Sequence, residues 1–355
     1  MNEELAMDSI VYPAVNLPSA PDRARALQPL LDAHGAEIDR RHEATPEVVE
    51  ALFANDMLRL LLPRSLGGQE IHLVDFCKTN EVIAWSDASI GWFVNQSNVC
   101  VASCAAAMAP ETVLSIFSGP RTGLARRAKH NQSKAIRVDG GYRLTGPWSF
   151  ASGSRHTTWI GAHSAVQNPD GTPHIRHGRP DDRSFLFLKS KAEIVDDWEV
   201  LGLRGTGSDT YTVTDLFIPD AHAPARDAPE ERTLQGALYG ITSHLLYACG
   251  FSSVSLGVGR RMLETYTELA RGKQGRASIS LMARNNAVQK DIGRMEAQLS
   301  GARAFLHEAA NEVYEASAAG TLTLDQRMRL RLATTHAMHE ATEVSVACYR
   351  GAGTT

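Results

Sequence analysis

The periodicity of the chain changes twice, and this limits its possible folds more than any other feature. From Pro21 to about Phe117 the apolar residues recur at helical spacing. Between about Arg121 and Pro224 they alternate in short runs broken by Gly, Pro, Asn and Asp, and from about Leu234 to Tyr349 helical spacing returns. Thr45-Pro46-Glu47 reads as a helix start, and Leu73 to Trp85 and Ser89 to Ala107 as further helices. Strands are expected over Ala135 to Asp139, Trp159 to Val166, Ser184 to Leu188 and Thr210 to Pro219, with a polar hairpin excursion from Pro169 to Asp182. Beyond them, Gly250, Gly257 and Gly259 lie in a small-residue helix suited to close packing. Val288, Ile292, Met295, Leu299, Ala302 and Leu306 form one stripe of a long helix over Met282 to Ser317. A turn over Gly320 to Asp325 leads to a last helix over Gln326 to Tyr349. The fold class is therefore α+β. A helical domain is expected over residues 1–120 (the first 20 a loose leader), an antiparallel β-domain over 121–230 and a helical domain over 231–355.

Composition excludes several partners. At 355 residues, 43% hydrophobic and with a formal net charge of -4, the chain has no electrostatic reason to bind nucleic acid or an anionic membrane. It has no apolar run of about 18 residues. Met1-Asn-Glu-Glu-Leu5 lacks the basic and apolar regions of a signal peptide. The five cysteines form no CxxC and are odd in number, which suits reduced thiols in a cytoplasmic protein. No metal site is expected: His336 and His339 invite a di-iron reading, but neither has a Glu three residues before it.

Two turns carry the chemistry. The first runs Gly140-Gly-Tyr-Arg-Leu-Thr-Gly-Pro-Trp-Ser-Phe-Ala-Ser-Gly153, and the second Gly202-Leu-Arg-Gly-Thr-Gly-Ser-Asp209. On one reading Trp148 is a buried turn tryptophan and Ser149 and Ser152 satisfy local backbone groups. On the other, Trp148 and Phe150 wall a flavin isoalloxazine while Ser149 or Ser152 reaches its N5 or C4a edge, in surroundings dry enough to protect a reactive adduct. The second turn lacks the Lys-Ser/Thr ending of a phosphate loop and sits between strands. It is either a hairpin corner or a cofactor contact made by backbone amides, Thr206, Ser208 and Arg204.

These residues, with Pro63-Arg-Ser-Leu-Gly-Gly68, Asp87-Ala-Ser-Ile-Gly-Trp92 and Trp198-Glu-Val-Leu-Gly-Leu-Arg-Gly-Thr-Gly-Ser208, resemble the acyl-CoA dehydrogenase fold, most closely its flavin-dependent monooxygenase branch. The resemblance covers nearly the whole chain from Pro46. It implies an N-terminal helical domain, a central antiparallel β-domain and a C-terminal four-helix bundle. It further implies a two-component system, in which a separate reductase supplies reduced FMN or FAD. Dioxygen then gives a C4a-hydroperoxyflavin that hydroxylates a small, often aromatic or heteroaromatic substrate. By the same resemblance, Trp148, Ser149, Phe150, Ser152 and Gly153 contact the cofactor, Ser152 steadying the peroxide near N5. Arg204, Thr206 and Ser208 lie near the cofactor or the substrate entrance, and Trp92 near the substrate. His244, read from its own position beside the small-residue helix, is either a substrate-pocket residue or a structural histidine. Arg276 and Gln289 reach the flavin phosphate side of an adjacent subunit in a homotetramer.

Two departures accompany the resemblance. Family members continue beyond a segment like Gly351-Ala-Gly-Thr-Thr355 into a stretch with the histidine that activates the substrate, which places that base beyond residue 355. Ala125-Arg-Arg-Ala-Lys-His130 is more basic than the usual strand, leaving open an acidic substrate or altered flavin contacts. Two other readings stand beside the monooxygenase. One is an FAD-dependent acyl-CoA dehydrogenase using a carboxylate base, for which Glu340 and Glu343 are the candidates. The other is a non-catalytic helical binding protein.

Overall fold

The computed structural model describes residues 17–119, 122–127, 132–225, 228–274 and 280–353. Most of the expected leader lies outside them, as do the side chains of the basic run Arg126 to His130. Five helices come first: α1 (Ala20–Arg41), α2 (Pro46–Ala54), α3 (Leu73–Ser86), α4 (Ala88–Ala105) and α5 (Pro110–Phe117). Thr45 caps α2 as its spacing predicts, its hydroxyl accepting from Val48 N with Pro46 in the first turn. Asp87 breaks α3 from α4: it is extended, and its carboxylate accepts from Ile90 N at 3.0 Å.

The strands are β1 (Leu124–Arg127), β2 (Lys134–Val138), β3 (Gly141–Trp148), β4 (Trp159–Gln167), β5 (Ile175–Arg176), β6 (Arg179–Pro180), β7 (Asp182–Leu188), β8 (Glu193–Val195) and β9 (Thr210–Pro219). The main sheet is ordered β1-β4-β2-β3-β9-β8, with β7 on β4, and β5 and β6 make the separate polar hairpin. The expectation of an antiparallel sheet needs correction, because β4 runs parallel to both β1 and β2. After β3 the chain leaves the sheet for residues 149–158 and re-enters between β1 and β2. It runs opposite to β3, as after a hairpin, but lies beyond β2 instead of beside β3; because β2 is itself antiparallel to β3, β2 and β4 come out parallel. Along β3 the inward positions Tyr142, Leu144 and Trp148 are buried, and they join Ile160, Phe185, Tyr211 and Ile218 in the sheet's core.

Three long helices follow: α6 (Ser243–Gly272), α7 (Asn286–Ala318) and α8 (Leu324–Ala352). The four-helix bundle expected of this region is corrected accordingly. Among the described residues its own helices number three, and α3 packs alongside α6 and α7 as the fourth. One apolar cluster runs from Leu31 and Phe76 through Leu256 to Leu306 and Val344, so the helices on either side of the sheet share a core. The close approach expected at the α6 glycines is met at Gly250, where a Cβ would stand 1.8 Å from Asn95 Oδ1 of α4. Among the described residues no helix is long and apolar enough to cross a membrane.

Candidate active site

The two glycine-bearing turns are stitched together by their backbones. Ala151 N donates to Asp209 O at 3.1 Å, and Gly153 N to Thr206 O at 2.8 Å. Gly153 has a φ of +77°, and a Cβ there would meet the Phe93 ring at 2.2 Å, so the turn also seats directly on α4. Arg155 closes the junction, donating through Nε and Nη2 to the two Asp209 carboxylate oxygens at 2.7 and 2.8 Å. That contact raises the guanidinium further above its ordinary value.

Ser152 lies where this junction meets the helices. Its Oγ accepts from Trp92 Nε1 at 3.2 Å and lies 2.7 Å from Ser208 Oγ. Ser208 Oγ is in turn 2.6 Å from Thr206 Oγ1, which donates to Leu203 O at 2.9 Å. Beside this row of hydroxyls is an aromatic stack. Trp92 of α4 lies 4.1 Å from Phe251 of α6 at 21°, and Phe251 lies 5.9 Å from Tyr247 at 15°. Tyr247 Oη sits 3.0 Å from Cys100 Sγ, which anchors the stack's far end to α4. Uncharged hydroxyls next to flat apolar rings can hold the polar edge of a heteroaromatic cofactor or an aromatic ligand. They supply no strong acid or base.

The aromatics of the first turn do not act as a pair. Trp148 is fully buried, stacked on Tyr211 at 5.6 Å, with its Nε1 donating to His163 O at 3.1 Å. The wall expected of Trp148 and Phe150 together is thus corrected: the period of two along β3 turns the Trp148 ring into the sheet's core. Phe150 remains 54% exposed at a φ of +63° and sits edge-on to Trp198 at 5.5 Å. A left-handed aromatic residue carries strain, of the kind that collects at functional turns. Ser149 faces the other strand, accepting from Thr210 Oγ1 at 2.9 Å.

Residues 249–355 match the family described as acyl-CoA dehydrogenase, C-terminal domain. Over 351 residues the chain is 30% identical to the indole-3-acetate monooxygenase of Pseudomonas putida, covering 96% of this chain and 86% of that protein. The chain belongs to the flavin-dependent monooxygenases of the acyl-CoA dehydrogenase fold. Over 199 residues it is 33% identical to a flavin-dependent monooxygenase oxygenase subunit of Rhodococcus jostii, covering 56% of this chain and 50% of that one. The solved structure of XiaF from Streptomyces sp. in complex with FADH2 and glycerol has the same fold. Its TM-score is 0.85 at 22% identity, covering 94% of this chain and 84% of that one.

In this monooxygenase the other residues singled out by sequence lie outside the Ser152 cluster. Arg204 turns to the end of α1: Nε donates to Asp39 O at 3.1 Å, Nη1 to Val200 O at 3.3 Å, and Nη2 contacts His42 Nε2. Its guanidinium ties the second turn to the helical body. Gln289 is exposed and donates to Ala283 O at 2.7 Å, and Arg276 lies outside the described residues. His244 is exposed, three and seven residues before Tyr247 and Phe251 on α6, and so shares their helix face. Glu340, a candidate dehydrogenase base, accepts from Gln298 Nε2 at 3.1 Å and faces His336, and Glu343 is exposed on the same helix. Among the described residues no group of His, Cys, Asp and Glu side chains could hold a metal.

Three contributors are not apparent from the sequence pattern. Phe251 and Tyr247 are a turn apart on α6, and that i, i+4 aromatic pair is the available signal. His156, in the turn after Ser152, is the third. Burial lowers its pKa to about 4, its Nε2 is buried without a partner, and its ring lies 5.9 Å from Phe93.

Proposed function

We propose that this monooxygenase is the oxygenase component of a two-component system. It takes reduced FMN or FAD from a separate reductase and uses dioxygen to hydroxylate a small aromatic or heteroaromatic substrate. The observation that carries this reading is the juxtaposition of Ser152 with the Trp92–Phe251–Tyr247 stack. The residues present fit a flavin: exposed Phe150 offers apolar surface beside the turn, while the Ser152 hydroxyl offers a polar contact. When bound, the reduced flavin supplies two electrons, and one oxygen atom goes to the substrate and the other to water. The protein's own residues would do the rest. Ser152 holds a hydrogen bond at the cofactor edge, Thr206 and Ser208 support it, and the half-buried rings of Trp92 and Phe251 orient a planar substrate and limit water. His244 would stand at the mouth of the same α6 face. The carboxylates on which a dehydrogenase would depend are engaged or exposed on α8, which favours the monooxygenase.

We extend the reading to a homotetramer in which Arg276 and Gln289 reach a flavin of the neighbouring subunit. Sedimentation velocity tests this, and a monomer would sink it. The reaction itself is tested by loading the protein anaerobically with reduced FMN or FAD, then mixing it with labelled dioxygen and indole-type compounds. One labelled oxygen atom per product molecule is expected. Tightly held oxidised FAD that an acyl thioester reduces would overturn the proposal in favour of a dehydrogenase.

A further inference from the structure

Arg59, between α2 and α3, carries a charge that the fold does not use. Its Nε and Nη2 are closed off from water and have no hydrogen-bond partner. Those two nitrogens form the side edge of the guanidinium, the edge with which Arg155 grips both Asp209 oxygens at 2.7 and 2.8 Å. Other inward-turned arginines also meet carboxylates, Arg183 at Asp181 and Glu231 and Arg260 at Glu296. A guanidinium cannot shed its proton to escape burial, so a pair of buried donors with nothing to bind calls for an anion.

Arg59 lines a cleft of about 800 Å³ bounded by the start of α1, the α2–α3 connection, and Tyr314 of α7. Two more guanidiniums line it. Arg23, 6% exposed, spends its donors on neutral oxygens: Asn55 O at 3.1 Å, Gln69 Oε1 at 2.6 Å and the Pro18 carbonyl. Burial lowers its pKa from the ordinary value, and the Asp56 charge opposes this. Arg64 is exposed and donates to Gln69 O at 3.4 Å. The carboxylates of Asp56, Glu70 and Asp75 share the cleft, but among the described residues none forms an ion pair with these arginines. Asp75 faces Lys78 at 3.2 Å, and Glu70 accepts from Arg64 N at 3.0 Å.

We propose that this cleft is an oxyanion-binding site separate from the Ser152 junction, taking a carboxylate or phosphate group on the forked edge of Arg59. Arg64 is the second contact, and Arg23 adds positive charge. The Arg59 edge is closed to water as it stands, so binding turns it into the cleft and gives both donors a partner. The two oxygens of a carboxylate or phosphate match the spacing of that edge, which a lysine could not reproduce.

Calorimetric titration of the flavin-free full chain with sodium phosphate, and separately with sodium acetate, tests the site at an ionic strength fixed with sodium chloride. Saturable binding of one anion per chain is expected, and the two arms tell which group it takes. Arg59→Met should weaken binding by about tenfold or more, the worth of a bidentate charged contact, and Arg59→Lys by less. Arg64→Gln should weaken it by a smaller factor. Arg143→Gln, which alters an exposed guanidinium on β3, should bind as wild type does. Thermal unfolding adds a reading that a structural arginine would not give. In chloride alone Arg59→Met should unfold no earlier than wild type, because it removes unpaired buried donors, and the anion should raise the midpoint of wild type only. Wild type that binds neither anion overturns the proposal, as does equal weakening by Arg143→Gln, which would mark diffuse attraction. Early unfolding of Arg59→Met together with undiminished binding by Arg64→Gln also overturns it. So does binding that emerges only when Glu3, Glu4 and Asp8 are all neutralised, which would make the chain's own acidic leader the occupant. None of these outcomes bears on the flavin reaction.

Discussion

Replacing Arg155 with methionine tests whether the two glycine turns are held by a buried charge pair. The Asp209 side chain is 1% exposed and accepts from Arg155 at 2.7 and 2.8 Å, while its backbone carbonyl receives Ala151 N from the turn that carries Ser152. Arg155 also reaches Asp196 at 2.5 Å and Glu43 at 3.8 Å. The Asp196 side chain is 86% exposed, so that contact contributes at most about 1 kcal/mol and is screened by salt. Asp209 decides the magnitude. Methionine fills much of the volume of arginine but leaves a carboxylate buried and unpaired, a loss of about 3–5 kcal/mol. Asp209→Asn should cost less, because Arg155 keeps Asp196 and Glu43. In the double variant the unpaired carboxylate is gone, so the two losses should fall short of their sum by about 2 kcal/mol. Urea unfolding followed by tryptophan fluorescence measures all four corners of the cycle, at low and at high salt. The reasoning fails if Arg155→Met costs under about 1 kcal/mol, or if the single losses simply add. It fails equally if high salt removes the coupling, which would make the pair a surface one.

Three further outcomes are expected. Ser152→Ala should weaken reduced-flavin binding by roughly tenfold, the effect of one lost hydrogen bond, and raise the share of oxygen released as hydrogen peroxide; unchanged coupling between oxygen use and product would contradict the role given to Ser152. Gly250→Ala places a Cβ 1.8 Å from Asn95 Oδ1, so the buried Asn95 amide must give up its contact with Tyr247 O or α4 and α6 must separate, at a cost of about 1–3 kcal/mol, and affinity for aromatic ligands should fall with the Trp92–Phe251 stack; equal stability and affinity would show that Gly250 and Asn95 do not meet there. Burial lowers His156 and His307 from 6.5 to about 4, so the unfolded chain binds more protons between those values. Stability should therefore be fully present above pH 6.5 and fall as pH drops towards 4, by up to roughly 3 kcal/mol for each histidine. Unfolding midpoints for His156→Gln that keep the full wild-type slope over this window would rule out the His156 share.

Much of the fold was readable before any coordinates, wherever neighbours in sequence decide the matter. Thr45 before Pro46 caps α2, the alternating run from Thr210 becomes β9, and the stripe from Val288 to Leu306 lies on α7. Each depends on backbone geometry and burial period within one continuous element. The reading was weaker where one residue has two uses. Trp148 and Phe150 look like one aromatic wall in the sequence, yet two steps along the chain carry them from a strand's inward face to a left-handed turn. Arg204 looks like a charge offered to a ligand, and in the fold it holds the end of α1.

The order of helices and strands, the composition of the two turns and the kinship with flavin-dependent monooxygenases all come from the chain of residues alone. They rest on local backbone preference and on motifs that survive as strings of letters. The site's polarity does not come from that source. Trp92, Ser152 and Phe251 lie on three elements far apart in sequence, and only the seating of α4 against α6 and the stitching of the two turns bring them together. A hydroxyl is donor and acceptor at once, and its role is set by the neighbour it meets.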